Sequence, residues 1–393
     1  MKEQIKTLAK KYAPHYIEVR RHLHQYPELS FHEFKTHDFI KKVLAEIGIS
    51  EIETVAKTGV LATIKGKADG DIRLLRADID ALPIEELNDT SYISKNQGVM
   101  HACGHDAHTA SLLLCARILF ELKDDIKGSI KLLFQPGEEV YPGGATLVQK
   151  EGVYEELGEL PHIGQHVMPS IPVGKVGFCS GKFMASMDEI FLTIKGKGGH
   201  GAMPETFIDP VLIASHIIVA AQQVVSRMAS PKTPSVLSFG KLVANGAINI
   251  IPDEVYLEGT FRTLDVEWRK DALEKLEKLV KGIAESMGGS CKVVINRGYP
   301  HLVNDAELTS KLKENAASYL GSEQVVDLDP MMIAEDFAYY SHDNPSCFYL
   351  LGVGNVKKKI TSGLHTPTFD IDESALEIGG GLMAYNAVSK LHC

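Results

Sequence analysis

The chain has no disulfide framework: Cys103, Cys115, Cys179, Cys291, Cys347 and Cys393 are scattered without regular spacing. That pattern argues against a small stapled secreted domain and fits a reducing, cytoplasmic setting. A run of 18 apolar residues is also missing. The opening MKEQIKTLAKKYAPHY reads as an amphipathic helix without the apolar core of a signal peptide, so neither a membrane span nor a leader is expected. Basic residues are not in excess: 41 Lys and Arg against 51 Asp and Glu leave a net charge of −10. Nucleic acid and anionic membranes are therefore poor partners. No repeat, low-complexity tract or linker-like run appears. What is present is an ordinary globular composition, 44% hydrophobic and 23% charged, over 393 residues. That length exceeds what one hydrophobic core usually serves, so two domains are expected.

The first part of the chain alternates strand and helix signals. SFHEFKTHDFIKKVLAEIG carries Ser30 and Glu33 at capping-box spacing and stops at Gly48, which predicts a capped helix. GVLATIKG, IRLLRADID and SIKLLFQP are short β-rich runs, and a helix over about 106–123 shows the apolar row Leu112, Leu113, Ala116, Leu119 and Phe120. The alternation predicts an α/β layer with a partly parallel sheet, whose reactive loops gather at the carboxyl ends of its strands. From about residue 189 the order becomes β-α-β-β-α-β, the ferredoxin-like arrangement. After it the α/β pattern resumes. The expected architecture is a mixed-sheet α/β catalytic domain over 1–184 and 298–393, interrupted by an inserted ferredoxin-like domain over 185–297.

Four stretches carry chemistry-bearing side chains. HACGHD sets Cys103 and His105 on either side of Gly104, a pairing suited to zinc and other borderline ions. A Cys–His nucleophilic pair or a structural cluster would use the same residues. QPGEEVYPGG places Glu138 and Glu139 after a strand in a Pro/Gly loop. Adjacent carboxylates there can divide labour, one holding a cation and the other accepting a proton from activated water. PHIGQHV offers His162 and His166, four apart on an extended segment and so facing one side. GLHTPTFDID puts His365 in a loop before the last helix.

Taken in order, RRHLHQYPELSFHE, LRADIDALP, MHACGHDAHTASLL, LLFQPGEE, GKGGHGAMP, NIIPDEVYLEGTFRT, AEDFAYY and LHTPTFDIDESAL resemble the M20 metallopeptidase family. The closest branch is that of the N-acyl-amino-acid amidohydrolases, with hippurate hydrolases, auxin-conjugate hydrolases and aminoacylases. The resemblance implies two divalent ions (Zn, Mn, Co or Ni) held by Cys103, His105, Glu139, His166 and His365, with Glu138 as general base. It places Asp78 and Asp106 near the metals, where acidic residues orient ligands. His200 would reach a neighbouring subunit's site and polarise the scissile carbonyl, and Asn249 and Arg262 would hold the substrate carboxylate. His101, His108 and His162 fall on no ligand position.

The implied activity is hydrolysis of the amide bond of N-acyl-L-amino acids by a homodimer joined through the inserted domain. Alternatives on the same centre are a dipeptidase or metallocarboxypeptidase, or an N-acetyl-diaminopimelate deacetylase. A non-catalytic binding protein would be favoured had a ligand or Glu138 been replaced. A zinc nucleobase deaminase is rejected because the H-x-E…P-C-x-x-C pattern is missing. Specificity is expected from walls around Met184, Met187 and the loop VYPGG.

Overall fold

The structure is a computed structural model and describes residues 1–153 and 160–390. The chain forms two compact units. The second comprises Lys182–Leu302 and Pro330–Glu335, and the first takes the rest of the described residues. The stretch 185–297 lies inside the second unit, which also draws in the short return segment 330–335.

The first unit is built on an eight-stranded mixed sheet. Its strands β1 (Glu51–Val55), β2 (Gly59–Lys65), β3 (Ala68–Asp78), β4 (Lys127–Gln135) and β5 (His162–Pro172) stand in the order β1-β2-β4-β3-β5. Ser346–Gly354, Val176–Phe178 and Val325–Asp327 follow. β3 runs parallel to both β4 and β5, and β5 runs parallel to Ser346–Gly354. Asp78 pairs with Gln135, and Arg76 pairs with Gly164. The ends of β3 and β4 therefore reach the same edge as His166, two residues beyond Gly164.

Helices α1 (Lys2–Gln25), α2 (Phe34–Ile47) and α3 (His105–Glu121), with Ala375–Val388, share one core with this sheet. The sequence predicts one apolar row on α3. The structure buries Leu114, Cys115 and Ile118 as well as Leu112 and Leu113, so burial extends well beyond one row, leaving Arg117 and Glu121 toward the outside.

The second unit has an antiparallel sheet in the order Ser235–Val243, Glu254–Thr263, Ser186–Lys195, Ser290–Arg297. Helices Pro210–Gln223 and Val266–Ser286 share its core. Numbered along the chain the strand order is 2-3-1-4, the ferredoxin-like pattern. Both helices start on an aspartate cap: Asp209 accepts from the amides of Val211 and Leu212, and Asp265 from that of Trp268. Residues 210–228 are long and apolar enough to resemble a membrane span. Ile213, Ala214, Ile217 and Ala221 are instead buried in the sheet's core.

Candidate metal centre

The centre begins where the chain turns into α3. Gly104 has φ +88°, the left-handed region open to glycine, and a Cβ there would lie 2.4 Å from Cγ2 of Val167. Cys103 and His105 flank this turn.

Cys103 Sγ lies 3.3 Å from Nε2 of His166 and 3.3 Å from Nε2 of His365. Oε1 of Glu139 is 3.3 Å from Nε2 of His365 and 3.9 Å from Nε2 of His105. The ligand-type atoms of Cys103, His105 and His166 all lie within 4.8 Å of one another, as do those of Cys103, Glu139 and His365. His105, Glu138 and Glu139 make a third such set. Side chains from α3, β5, the loop after β4 and the loop before the last helix thus meet at one place. Their sets overlap at Cys103, at His105 and at Glu139.

The residues fit metal cations. Nε2 of His105 and Oε1 of Glu139 are buried without a hydrogen-bond partner, a costly state for polar atoms that a bound cation would relieve. A donor set of sulfur, imidazole and carboxylate suits first-row divalent ions. Electrostatics point the same way. Burial alone would lower the pKa of His105, but Asp78 and Asp80 outweigh it and raise it to about 10. The metal-free site therefore keeps a positive charge there as a proton, which a cation would displace. Burial, with Glu139 and Glu138 nearby, pushes the Cys103 thiol well up, so a thiolate at neutral pH calls for a cation beside it. Burial and the neighbouring His108 hold His166 well below the usual histidine range, in the neutral form that ligates.

The rings of His105 and His166 are oriented by their other nitrogens. Nδ1 of His105 donates to Asp80 at 3.1 Å, and Nδ1 of His166 donates to the Val167 carbonyl at 2.7 Å. Both arrangements leave Nε2 for a metal. His365 adopts φ +59° and its amide donates to the Ala102 carbonyl at 2.8 Å, tying its loop to the Cys103 turn.

Asp78 and Asp106 differ from the expectation that they orient ligands directly. Asp78 Oδ1 is 3.8 Å from Nδ1 of His105, beyond hydrogen-bond range. It accepts from His108 at 2.6 Å, while Oδ2 accepts from Arg76 at 2.7 Å. Asp106 accepts instead from Arg20 at 2.7 Å and His24 at 2.8 Å. The residue that orients His105 is Asp80, two positions along the same segment. Sequence reasoning missed it, although its alternation with Asp78 in RADID puts both on one side. His108 was missed too. Its Nε2 accepts from the Val167 amide at 2.8 Å, so it braces the residue beside His166.

Glu138 is buried beside this cluster. His162 stacks on Tyr340, with ring centroids 5.4 Å apart, and its Nδ1 donates to the Leu160 carbonyl.

In the second unit, His200 is exposed on a two-stranded ribbon in which it pairs with Ile250, and the Gly201 amide donates to the Asn249 carbonyl. His200 and Asn249 are thus brought together. Nδ1 of His200 accepts from the Ala202 amide at 3.1 Å, so in the neutral ring Nε2 carries the proton. Arg262 lies on the four-stranded sheet instead and donates to the Met332 carbonyl at 3.2 Å.

A family model described as peptidase family M20/M25/M40 matches residues 74–387. The chain belongs to this family. It is 42% identical to an N-acetyl-L-cysteine deacetylase of Bacillus subtilis, over 95% of this chain and 88% of the relative. It is 44% identical to an N-acyl-L-amino acid amidohydrolase of Geobacillus stearothermophilus, over 77% of this chain and 81% of the relative. A solved structure from Bacillus subtilis, a dinuclear metal-binding peptidase of the M20 family, is 36% identical with a TM-score of 0.81, covering 96% of this chain and 98% of the other.

Proposed function

We propose that this M20-family member hydrolyses the amide bond of N-acyl-L-amino acids, releasing the free amino acid and a carboxylic acid. The observation that carries the reading is the meeting of Cys103, His105, Glu139, His166 and His365 around lone pairs that lack partners, with buried Glu138 alongside. Two divalent cations held there would supply Lewis acidity toward the substrate carbonyl and a nucleophile available at neutral pH. Glu138 accepts the proton of the attacking water and returns it to the leaving nitrogen. His200 offers its Nε2 proton to the carbonyl oxygen as negative charge develops there. Arg262 and Asn249 hold the substrate's α-carboxylate, a task for which the planar guanidinium fork is suited.

The sulfur of Cys103 favours zinc-like ions, and manganese, cobalt or nickel are compatible with the remaining nitrogen and oxygen donors. We further propose a homodimer joined through the 185–297 domain, in which His200 serves the partner subunit, and a cytoplasmic location consistent with the buried thiols of Cys103, Cys115, Cys291 and Cys347. The names of the deacetylase and amidohydrolase relatives support an N-acyl amino acid as substrate ahead of a dipeptide.

The test uses purified enzyme loaded with each metal in turn and assayed on N-acetyl and N-benzoyl amino acids and on dipeptides. Turnover of the acyl amino acids is expected, with Glu138→Ala lowering kcat by about 10²–10⁴-fold at unchanged metal content. Turnover of dipeptides alone would overturn the substrate assignment. A Glu138→Ala enzyme keeping a tenth of wild-type kcat would remove the base, since such groups contribute about 10²-fold or more.

A further inference from the structure

We propose that the segment between α1 and α2 is a clamp on the loop that carries the base, and that Glu33 is a positioning residue for Glu138. Glu33 is fully buried. Its Oε1 accepts from the Gly137 amide at 2.8 Å and its Oε2 from the Thr58 hydroxyl at 2.7 Å. On the other side of Glu138, the Glu139 amide donates to Asp80 Oδ2 at 3.0 Å, and that same oxygen accepts from the Ser30 hydroxyl at 2.6 Å. The amides before and after Glu138 are therefore both tied to buried carboxylates.

Phe31 closes the grip. It adopts φ +64°, uncommon for a bulky residue, and its ring covers Gly137 so closely that a Cβ there would lie 2.2 Å from a ring carbon. The Gly144 amide donates to the Gly137 carbonyl at 2.9 Å and holds the same residue from its other end.

Local helix stability does not account for this arrangement. Ser30 and Glu33 have capping-box spacing, yet α2 starts without a side-chain cap bond. Both residues are diverted from a local role to hold partners far along the chain, and such breaks of local consistency concentrate at functional sites. Fixing a carboxylate against an attacking water requires restraint of its backbone, since a misplacement of about 1 Å costs about 100-fold in rate.

The inference rests on Glu138 being the base, and the experiment separates the two. In the metal-loaded enzyme, Glu33→Asp keeps a carboxylate in the niche but withdraws it by one methylene. It is expected to lower kcat about 10- to 100-fold with KM and metal content nearly unchanged, and to reduce hydrogen-exchange protection at the Gly137 amide. Glu33→Gln keeps an oxygen for Gly137 and turns its amide nitrogen to Thr58, so it restores kcat to within about threefold of wild type. Thr58→Val removes the other partner of Glu33 and leaves kcat in place. Phe31→Ala frees Gly137 from the opposite side and lowers kcat as Glu33→Asp does, which keeps the test available should the Glu33 variant not fold. The proposal is overturned if Glu33→Asp or Phe31→Ala retains wild-type kcat while Glu138→Ala is inactive, or if Thr58→Val loses as much as Glu33→Asp. An active Glu138→Ala enzyme would instead remove Glu138 from the base role on which the inference rests.

Discussion

Histidines in this chain divide by what their second nitrogen meets. His105 and His166 each donate from Nδ1 and present Nε2 to the cluster, whereas His108 is used at both nitrogens, by Asp78 and by the Val167 amide. His105 and His108 are three apart on one helix, and their spacing alone does not separate ligand from brace. The separation lies in partners brought from β3 and β5. His162 is a third kind: buried at the start of β5 and held by burial at a pKa of about 4. Its stability contribution is fully present once pH is well above the unfolded value of about 6.5, where the unfolded ring is neutral, and is lost as pH falls toward 4. Between pH 7 and 4.5 this one ring accounts for about 2–3 kcal/mol of lost stability. His162→Phe, which keeps a ring beside Tyr340, should flatten that acid limb in denaturant titrations of metal-free protein. Parallel curves for variant and wild type would refute the assignment.

At the scale of elements, the sequence was legible where pattern and neighbourhood agree. The strands ending in Asp78 and Gln135, the α3 start at HACGHD and the β-α-β-β-α-β order all follow from periodicity and turn residues. What stayed hidden depended on distant partners. The capping-box reading of Ser30 and Glu33 failed because Asp80, Thr58 and Gly137 compete for the same side chains and win. The stretch RADID does not separate Asp80 from Asp78, because two acids of one strand end differ only in what the helix sets opposite them. The single apolar row read for α3 was too narrow because helices on several sides enclose it. Gly104 is where this element and the metal cluster are joined. Gly104→Ala puts a methyl into Val167 at a left-handed backbone position. Strain of about 1–3 kcal/mol from the backbone alone should lower the melting temperature and weaken metal retention on dialysis. Metal content and melting temperature equal to wild type would show that the turn tolerates a side chain.

The whole molecule divides the proposed chemistry between two bodies. The proposed cation ligands and Glu138 belong to the first unit, and His200, Asn249 and Arg262 to the second. The Nε2 proton of exposed His200 can act only where a carbonyl oxygen reaches it, and the proposed two-fold dimer would offer the partner's site as that place. Mixed dimers decide between the partner's site and its own. One subunit carries Glu138→Ala with His200 intact, and the other carries His200→Ala with Glu138 intact, so each homodimer is inactive. After unfolding and random reassociation about half the dimers are mixed, and one of their two sites combines a working Glu138 with a working His200 from across the interface. Activity should then recover to about a quarter of the wild-type value. If His200 serves its own subunit, every site in the mixture lacks one of the two groups and no recovery occurs. A chain that stays monomeric at assay concentration while fully active would exclude the exchange altogether.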